Sequence, residues 1–218
     1  MRMLHAFPHP NERQHMKLRA FHLGLDTRRV AVLFAPGLAL ILAMSISMYA
    51  GAQSPTATTA AAKVEDQPGF TVIGVSVRTD NRKEAGGNGE IPKMWTRAMQ
   101  DGTFDSIPNR ADGNILAVYT DYASDQNGEY TYVLGARVTS IDKVPAGFVA
   151  VTIPAGKYAV VQTDKGALTD VMPKVWKRIH AMPARELGGE RAFKVDYEVY
   201  PAGFDWQNAQ IDVHLGLK

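Results

Sequence analysis

The segment Ile91-Pro92-Lys93-Met94-Trp95-Thr96-Arg97 returns as Met172-Pro173-Lys174-Val175-Trp176-Lys177-Arg178, an offset of 81 residues. In the same register and without a gap, Tyr119 matches Tyr200, Leu134 matches Leu215 and Gly135 matches Gly216. A repeat at fixed spacing means that the body of the chain is two copies of one supersecondary unit. Neither copy buries its apolar face alone, so the two are expected to pack against each other.

Each copy reads as β-α-β-β. Phe70 to Thr79 is β-branched and bounded by turn residues, a strand. From Ile91 the apolar positions 91, 94, 95 and 98 follow a helical period with one buried face, and Pro92 suits a first turn. Asn114 to Ser124 and Glu129 to Ile141 are strands joined through Asp125-Gln126-Asn127-Gly128, where Asn-Gly signals a hairpin. The second copy gives a strand over Phe148 to Thr163, a helix face at 172, 175, 176 and 179, then strands over Ala192 to Tyr200 and Gln210 to Leu217. The expected fold class is α+β: a duplicated β-α-β-β module with halves at about 69–145 and 146–218, an antiparallel sheet, two main helices and a cleft at the pseudo-twofold.

Ahead of the repeat, Val30 to Tyr49 is a continuous apolar stretch, preceded by basic residues and followed by Ala50-Gly51-Ala52, which has the form of a signal-peptidase site. Residues 1–52 therefore read as a signal peptide, or, since the stretch is long enough to span a bilayer, as an uncleaved N-terminal anchor. Either places the body outside the cytoplasm, in the periplasm or on the outer face of the inner membrane. Translation starts at Met1 or at Met16. Residues 53–68 are rich in Ala, Thr, Ser and Pro and read as a linker.

With residues 1–62 set aside, the body holds 18 basic and 20 acidic groups, so it lacks the basic excess of a nucleic-acid binder. Membrane contact is expected only through the N-terminal segment. There is no cysteine, which excludes disulfides and thiolate chemistry. Of the six histidines only His180 and His214 lie in the body, too few for a zinc or non-haem iron site. A lone axial haem ligand is the most they could offer, and no cofactor is expected. No nucleophile elbow, Walker loop or dinucleotide fingerprint is present, and His180 and Asp196 form no visible dyad.

The cleft candidates follow from the repeat. Tyr119 and Tyr200 are repeat mates, and Glu198 lies two residues before Tyr200, so the three project from equivalent sheet faces. A carboxylate among aromatic rings suits a cationic or aromatic ligand, although a solvated strand residue fits the same pattern. Trp95 and Trp176 sit on the apolar helical faces, as core or as cleft floor. Tyr130, Tyr132 and Tyr158 read as sheet packing, and Asp80 to Gly89 as a glycine-rich loop, plain or lid-like.

Taken together, F-T-V-I-G at 70–74, I-P-K-M-W at 91–95, Y-T-D-Y at 119–122, G-E-Y-T-Y-V-L-G at 128–135, I-P-A-G-K-Y-A-V at 153–160, W-K-R-I at 176–179 and F-K-V-D-Y-E-V-Y at 193–200 resemble the GyrI-like effector-binding superfamily. That superfamily includes the effector domains of AraC-type and multidrug-sensing regulators and stand-alone integron-cassette members. The resemblance covers residues 69–218 and implies a central pocket for small cationic or aromatic molecules, with the family's pocket glutamate at Glu198. The sequence departs from the regulators of that superfamily, which carry a helix-turn-helix domain: residues 1–68 read as a leader and a linker instead, so a transcriptional role is not expected. The function expected is that of an exported small-molecule-binding protein, with Glu198, Tyr119, Tyr200, Trp95 and Trp176 at the ligand. The alternative is a stand-alone hydrolase of reactive, cyclopropanoid-type molecules using Glu198 as acid or base. A protein-protein module would instead have no enclosed cavity.

Overall fold

The structure, a computed structural model, describes residues 61–218. The leader, its cleavage site, the alternative starts and the first part of the linker lie outside the described residues. Eight strands form one antiparallel sheet: β1 (Lys63–Gln67), β2 (Phe70–Thr79), β3 (Ile115–Thr120), β4 (Tyr130–Val138), β5 (Val149–Ile153), β6 (Gly156–Gln162), β7 (Arg191–Tyr200) and β8 (Asp212–Leu217). The helices are α1 (Asn81–Lys83), α2 (Glu90–Gln100), α3 (Leu168–Ala181) and α4 (Ala184–Leu187), with a π-helical turn at Glu84–Asn88.

The sheet order is β1-β6-β8-β7-β3-β4-β2-β5. The two halves meet at β3 and β7, which are repeat mates and pair antiparallel with Ala117 opposite Glu198 and Ile115 opposite Tyr200. Ala117 and Glu198 are themselves 81 residues apart. The pseudo-twofold therefore passes between them, and the α+β duplicated module expected from the repeat is the fold.

Three elements differ from the sequence expectation. Lys63–Gln67, assigned to the linker, is an edge strand that pairs with β6 from Lys63 opposite Val160 to Gln67 opposite Gly156. The strand expected over 148–163 is broken at Pro154-Ala155, where proline cannot donate to a ladder. Its first piece pairs with β2 at one end of the sheet and its second with β1 and β8 at the other. The joints Pro68-Gly69 and Pro154-Ala155 both cross between the two ends, so the sheet curls on itself around an inner cluster of Val72, Val118, Val133, Ile153, Tyr158 and Tyr197. The second helix also begins earlier than the repeat suggests. α3 starts at Leu168, which puts Pro173 inside it and adds a turn that buries Leu168 and Val171.

Both main helices cover the other face. α2 buries Met94 and Ala98, α3 buries Val175 and Ile179, and Trp95 and Trp176 are half-buried beside these ridges. Close strand approach is built in at Gly135, opposite Gly74. A Cβ at Gly135 would lie 2.0 Å from the Ile73 carbonyl oxygen, and one at its repeat mate Gly216 would lie 2.7 Å from that of Val195.

Candidate functional site

Between the undersides of α2 and α3 and the central strands lies a cavity of about 1060 Å³. Its walls are mainly aromatic and aliphatic, as ligand pockets generally are. Glu198 reaches it from the middle of β7, and only 2 % of the residue is exposed.

The carboxylate is held by three neutral donors. Tyr119 Oη donates to Oε1 at 2.7 Å, Trp176 Nε1 to Oε1 at 2.6 Å, and Tyr200 Oη to Oε2 at 2.6 Å. The repeat explains the convergence, since mates Tyr119 and Tyr200 flank the axis beside which Glu198 sits. Burial pushes Glu198 above its ordinary value of 4.5, and the hydrogen bonds from Tyr200, Trp176 and Tyr119 pull against that rise. Burial and the neighbouring Glu198 hold Tyr119 and Tyr200 well above 10, so both remain phenols and keep donating. No ion pair among the described residues involves Glu198.

Symmetry ends at the second tryptophan. Trp95, the mate of Trp176, donates to Tyr132 Oη at 2.8 Å instead of to an acid. Its ring sits 4.7 Å from Tyr200 and 5.4 Å from Trp206, and Tyr119 packs at a tilt 4.8 Å from Trp176. All five residues singled out from the sequence therefore line one cavity, and the reading of Glu198 as a solvated strand residue is overturned.

Other assignments change. Tyr130 and Tyr132 line the cavity rather than only packing the sheet, whereas Tyr158 packs on the opposite face 5.4 Å from Tyr197. Residues 80–89, read as a plain loop or lid, are helical turns that form one wall. Glu84 accepts from Thr79 Oγ1 and from the backbone of Glu90 and Ile91, capping α2 where Gly89 has no side chain to do so. Tyr122, Trp206, Arg191 and His180 also reach the cavity. Trp206 is half-exposed at its mouth, and only its composition could have flagged it. His180 and Asp196 make no hydrogen bond to one another. Burial, and then the Arg191 charge, lower His180 below 6.5, which leaves its ring neutral at neutral pH. His214 stacks on Tyr197 at 4.4 Å on the opposite face of the sheet. Among the described residues no three His, Asp or Glu side chains group so as to hold a metal ion.

An acid that accepts three hydrogen bonds from neutral groups and is paired with no cation among the described residues can take a positive group, or a proton, from what enters the cavity.

Known proteins agree with this architecture. YobU of Bacillus subtilis, named as a transcriptional regulator, is 29% identical over 147 residues, 66% of this chain and 90% of that protein. An integron cassette protein from the mobile metagenome of Vibrio cholerae matches with a TM-score of 0.57 at 21% identity, over 72% of this chain and 96% of its own. SAV2435, solved bound to tetraphenylphosphonium, matches with a TM-score of 0.59 at 18% identity, over 72% of this chain and 93% of its own. The family of integron-associated effector binding proteins, Cass2, matches residues 63–216, all of the sheet but its last residue and both main helices, and this chain belongs to it.

Proposed function

We propose that this chain is an exported binding protein that captures a small amphipathic organic cation, with Glu198 as its charge partner. Effector-binding families bind small molecules, and the single observation that carries the finer reading is the Glu198 carboxylate, buried, held by Tyr119, Tyr200 and Trp176, and without a cationic partner. An organic cation supplies the missing charge, and the rings of Trp95, Trp176, Tyr119 and Tyr200 add apolar area and cation-π attraction. SAV2435 holds such a cation, tetraphenylphosphonium, in a related fold. The apolar stretch at 30–49, the basic residues before it and Ala50-Gly51-Ala52 after it support export. The near-neutral body supports a role in binding a small molecule rather than DNA.

Native mass spectrometry of the purified protein, before and after denaturation, tests this. A released organic cation, chemically unchanged and absent from Glu198→Gln, is the expected result. A released molecule without positive charge would refute the cation reading, and a molecule chemically altered by the protein would favour the hydrolase.

A further inference from the structure

Beside the cavity lies a second polar centre that Glu198 does not account for, reaching its wall through Arg191 and Tyr122. Asp196, fully buried on β7, accepts from Tyr122 Oη at 2.7 Å, from the Gly216 backbone at 2.9 Å and from Arg191 Nη2. The Arg191 side chain lines the same cavity and is only 6% exposed, yet its Nε and Nη1 have no hydrogen-bond partner. Buried donors without partners are costly and uncommon in folded proteins, and they call for an acceptor.

Two backbone irregularities bring these groups to the cavity. Strand alternation from Glu198 and Asp196 would send Arg191 to the opposite face of the sheet. A bulge prevents this: β7 advances five positions from Arg191 to Asp196 while β8 advances two, from Leu217 to Leu215. Phe193, inside the bulge, has φ 49°, a left-handed conformation that a bulky residue rarely takes. Its ring lies 4.3 Å from the guanidinium carbon and covers one face of the group. After β3, Asp121 at φ 50° likewise turns Tyr122 back toward the cavity face. Two strained residues thus serve one cluster, and strain of this kind persists where the surrounding structure enforces it, often at binding sites.

Helix α3 links the two centres. Trp176 touches Glu198, and His180, one turn later, packs 5.7 Å from Trp176 and lies close enough to Arg191 to feel its charge. Asp196 and Glu198 are two residues apart, about 7 Å along an extended strand.

We propose that Arg191, with Tyr122 beside it, forms a donor subsite for a hydrogen-bond acceptor, and that the ligand is an organic cation bearing a carboxylate or similar oxygen group about one aromatic ring from its charge. This rests on the cation reading of Glu198 and adds the chemistry of the ligand's other end. Lys177, exposed at the rim of the cavity, is the competing anchor for such a group.

The test is titration of the full chain with two probes, tetraphenylphosphonium and (4-carboxyphenyl)triphenylphosphonium. The carboxylate probe is expected to bind at least about tenfold more tightly, the size of one charge-assisted hydrogen bond. Arg191→Lys, which keeps a charge beside Asp196 and deletes the two free donors, is expected to bring the ratio of the two Kd values to within about twofold. The pair Arg191→Gln with Asp196→Asn, which leaves no buried charge unpaired, should do the same if the single variant folds poorly. Lys177→Gln should retain the ratio. Equal Kd values in the unaltered protein, a ratio that survives both Arg191 variants because the two probes weaken alike, or a ratio lost in Lys177→Gln would each overturn the subsite while leaving Glu198 standing. Failure of both probes to bind, or binding indifferent to Glu198→Gln, would overturn the cation reading and the subsite together.

Discussion

Replacing Glu198 by Gln separates affinity from stability, because the two should move in opposite directions. The amide keeps an oxygen to accept from Trp176 Nε1 and Tyr119 Oη, and Tyr200 Oη can turn to accept from the new N–H, so all three partners stay engaged. What is lost is the charge. With a cation centre about 5 Å from the carboxylate and an effective dielectric of about 20, the attraction is about 3 kcal/mol, on the order of a hundredfold in Kd. Without ligand the sign reverses. Burial raises Glu198 above 4.5, so its carboxyl holds a proton more tightly folded than unfolded. That contribution to stability is complete below the unfolded value and is lost as pH rises through the folded one. In alkaline buffer the unliganded variant should therefore melt at or above the temperature of the unaltered protein, while the rise in Tm on adding tetraphenylphosphonium collapses. Calorimetric titration and thermal melting of the same samples read both quantities. A Kd within about threefold of the unaltered protein, or an unliganded variant that melts well below it, would refute the argument that this carboxylate is a stability cost retained for a cation.

The pH dependence follows from the same shift. Affinity for a permanent cation should rise with pH through the raised Glu198 value, with proton release below it, and a flat affinity with no dependence of the binding enthalpy on buffer ionisation would contradict this. Trp176→Phe removes a donor to Oε1 and should move that profile to higher pH, whereas Trp95→Phe, whose indole donates to Tyr132, should leave its midpoint in place; equal midpoints in all three proteins would refute the assignment. Gly135→Ala forces a methyl to within 2.0 Å of the Ile73 carbonyl oxygen and should cost about 2–3 kcal/mol, a fall in Tm of roughly 5–10 °C. Gly156→Ala, with nothing within 4 Å, should stay within about 0.5 kcal/mol, and comparable losses at both positions would show that close strand approach is not the cause.

The repeat made the architecture and the acid legible, because a duplicated unit with an antiparallel join must bring mates together across one axis. Tyr119, Tyr200, Trp95, Trp176 and Glu198 carry that signal in their spacing. What the spacing could not carry is where a strand departs from its period. Lys63–Gln67, with Glu65 and Asp66 among its five residues, has the charged character of a protected sheet edge and so reads as linker. Pro154 was a visible break, but the long β-branched run around it outweighed that one residue. Arg191 and Tyr122 were out of reach for a stronger reason. The period assigns both to the wrong face, and only a bulge and two left-handed residues turn them inward. Tyr132 alternates correctly with Leu134, but its mate is Val213, so symmetry gave no hint of its polar role.

The departure from symmetry is itself informative about function. A perfect duplication would place carboxylates at both 117 and 198, directly opposite on paired strands with Cβ atoms about 4.5–5.5 Å apart. Two buried acids that close cannot both ionise; they would share a proton and present one diffuse negative charge. With Ala117 in place of the second acid, the site keeps one carboxylate beside the axis, both tyrosines to hold it, and the volume that another side chain would have filled. The duplicated halves thus supply the cage, while the residues that break the repeat, Ala117 opposite Glu198, Tyr132 below Trp95, and Arg191 turned inward by its bulge, give the cavity direction. A cage with direction distinguishes the two ends of a ligand, which a symmetric one could not do.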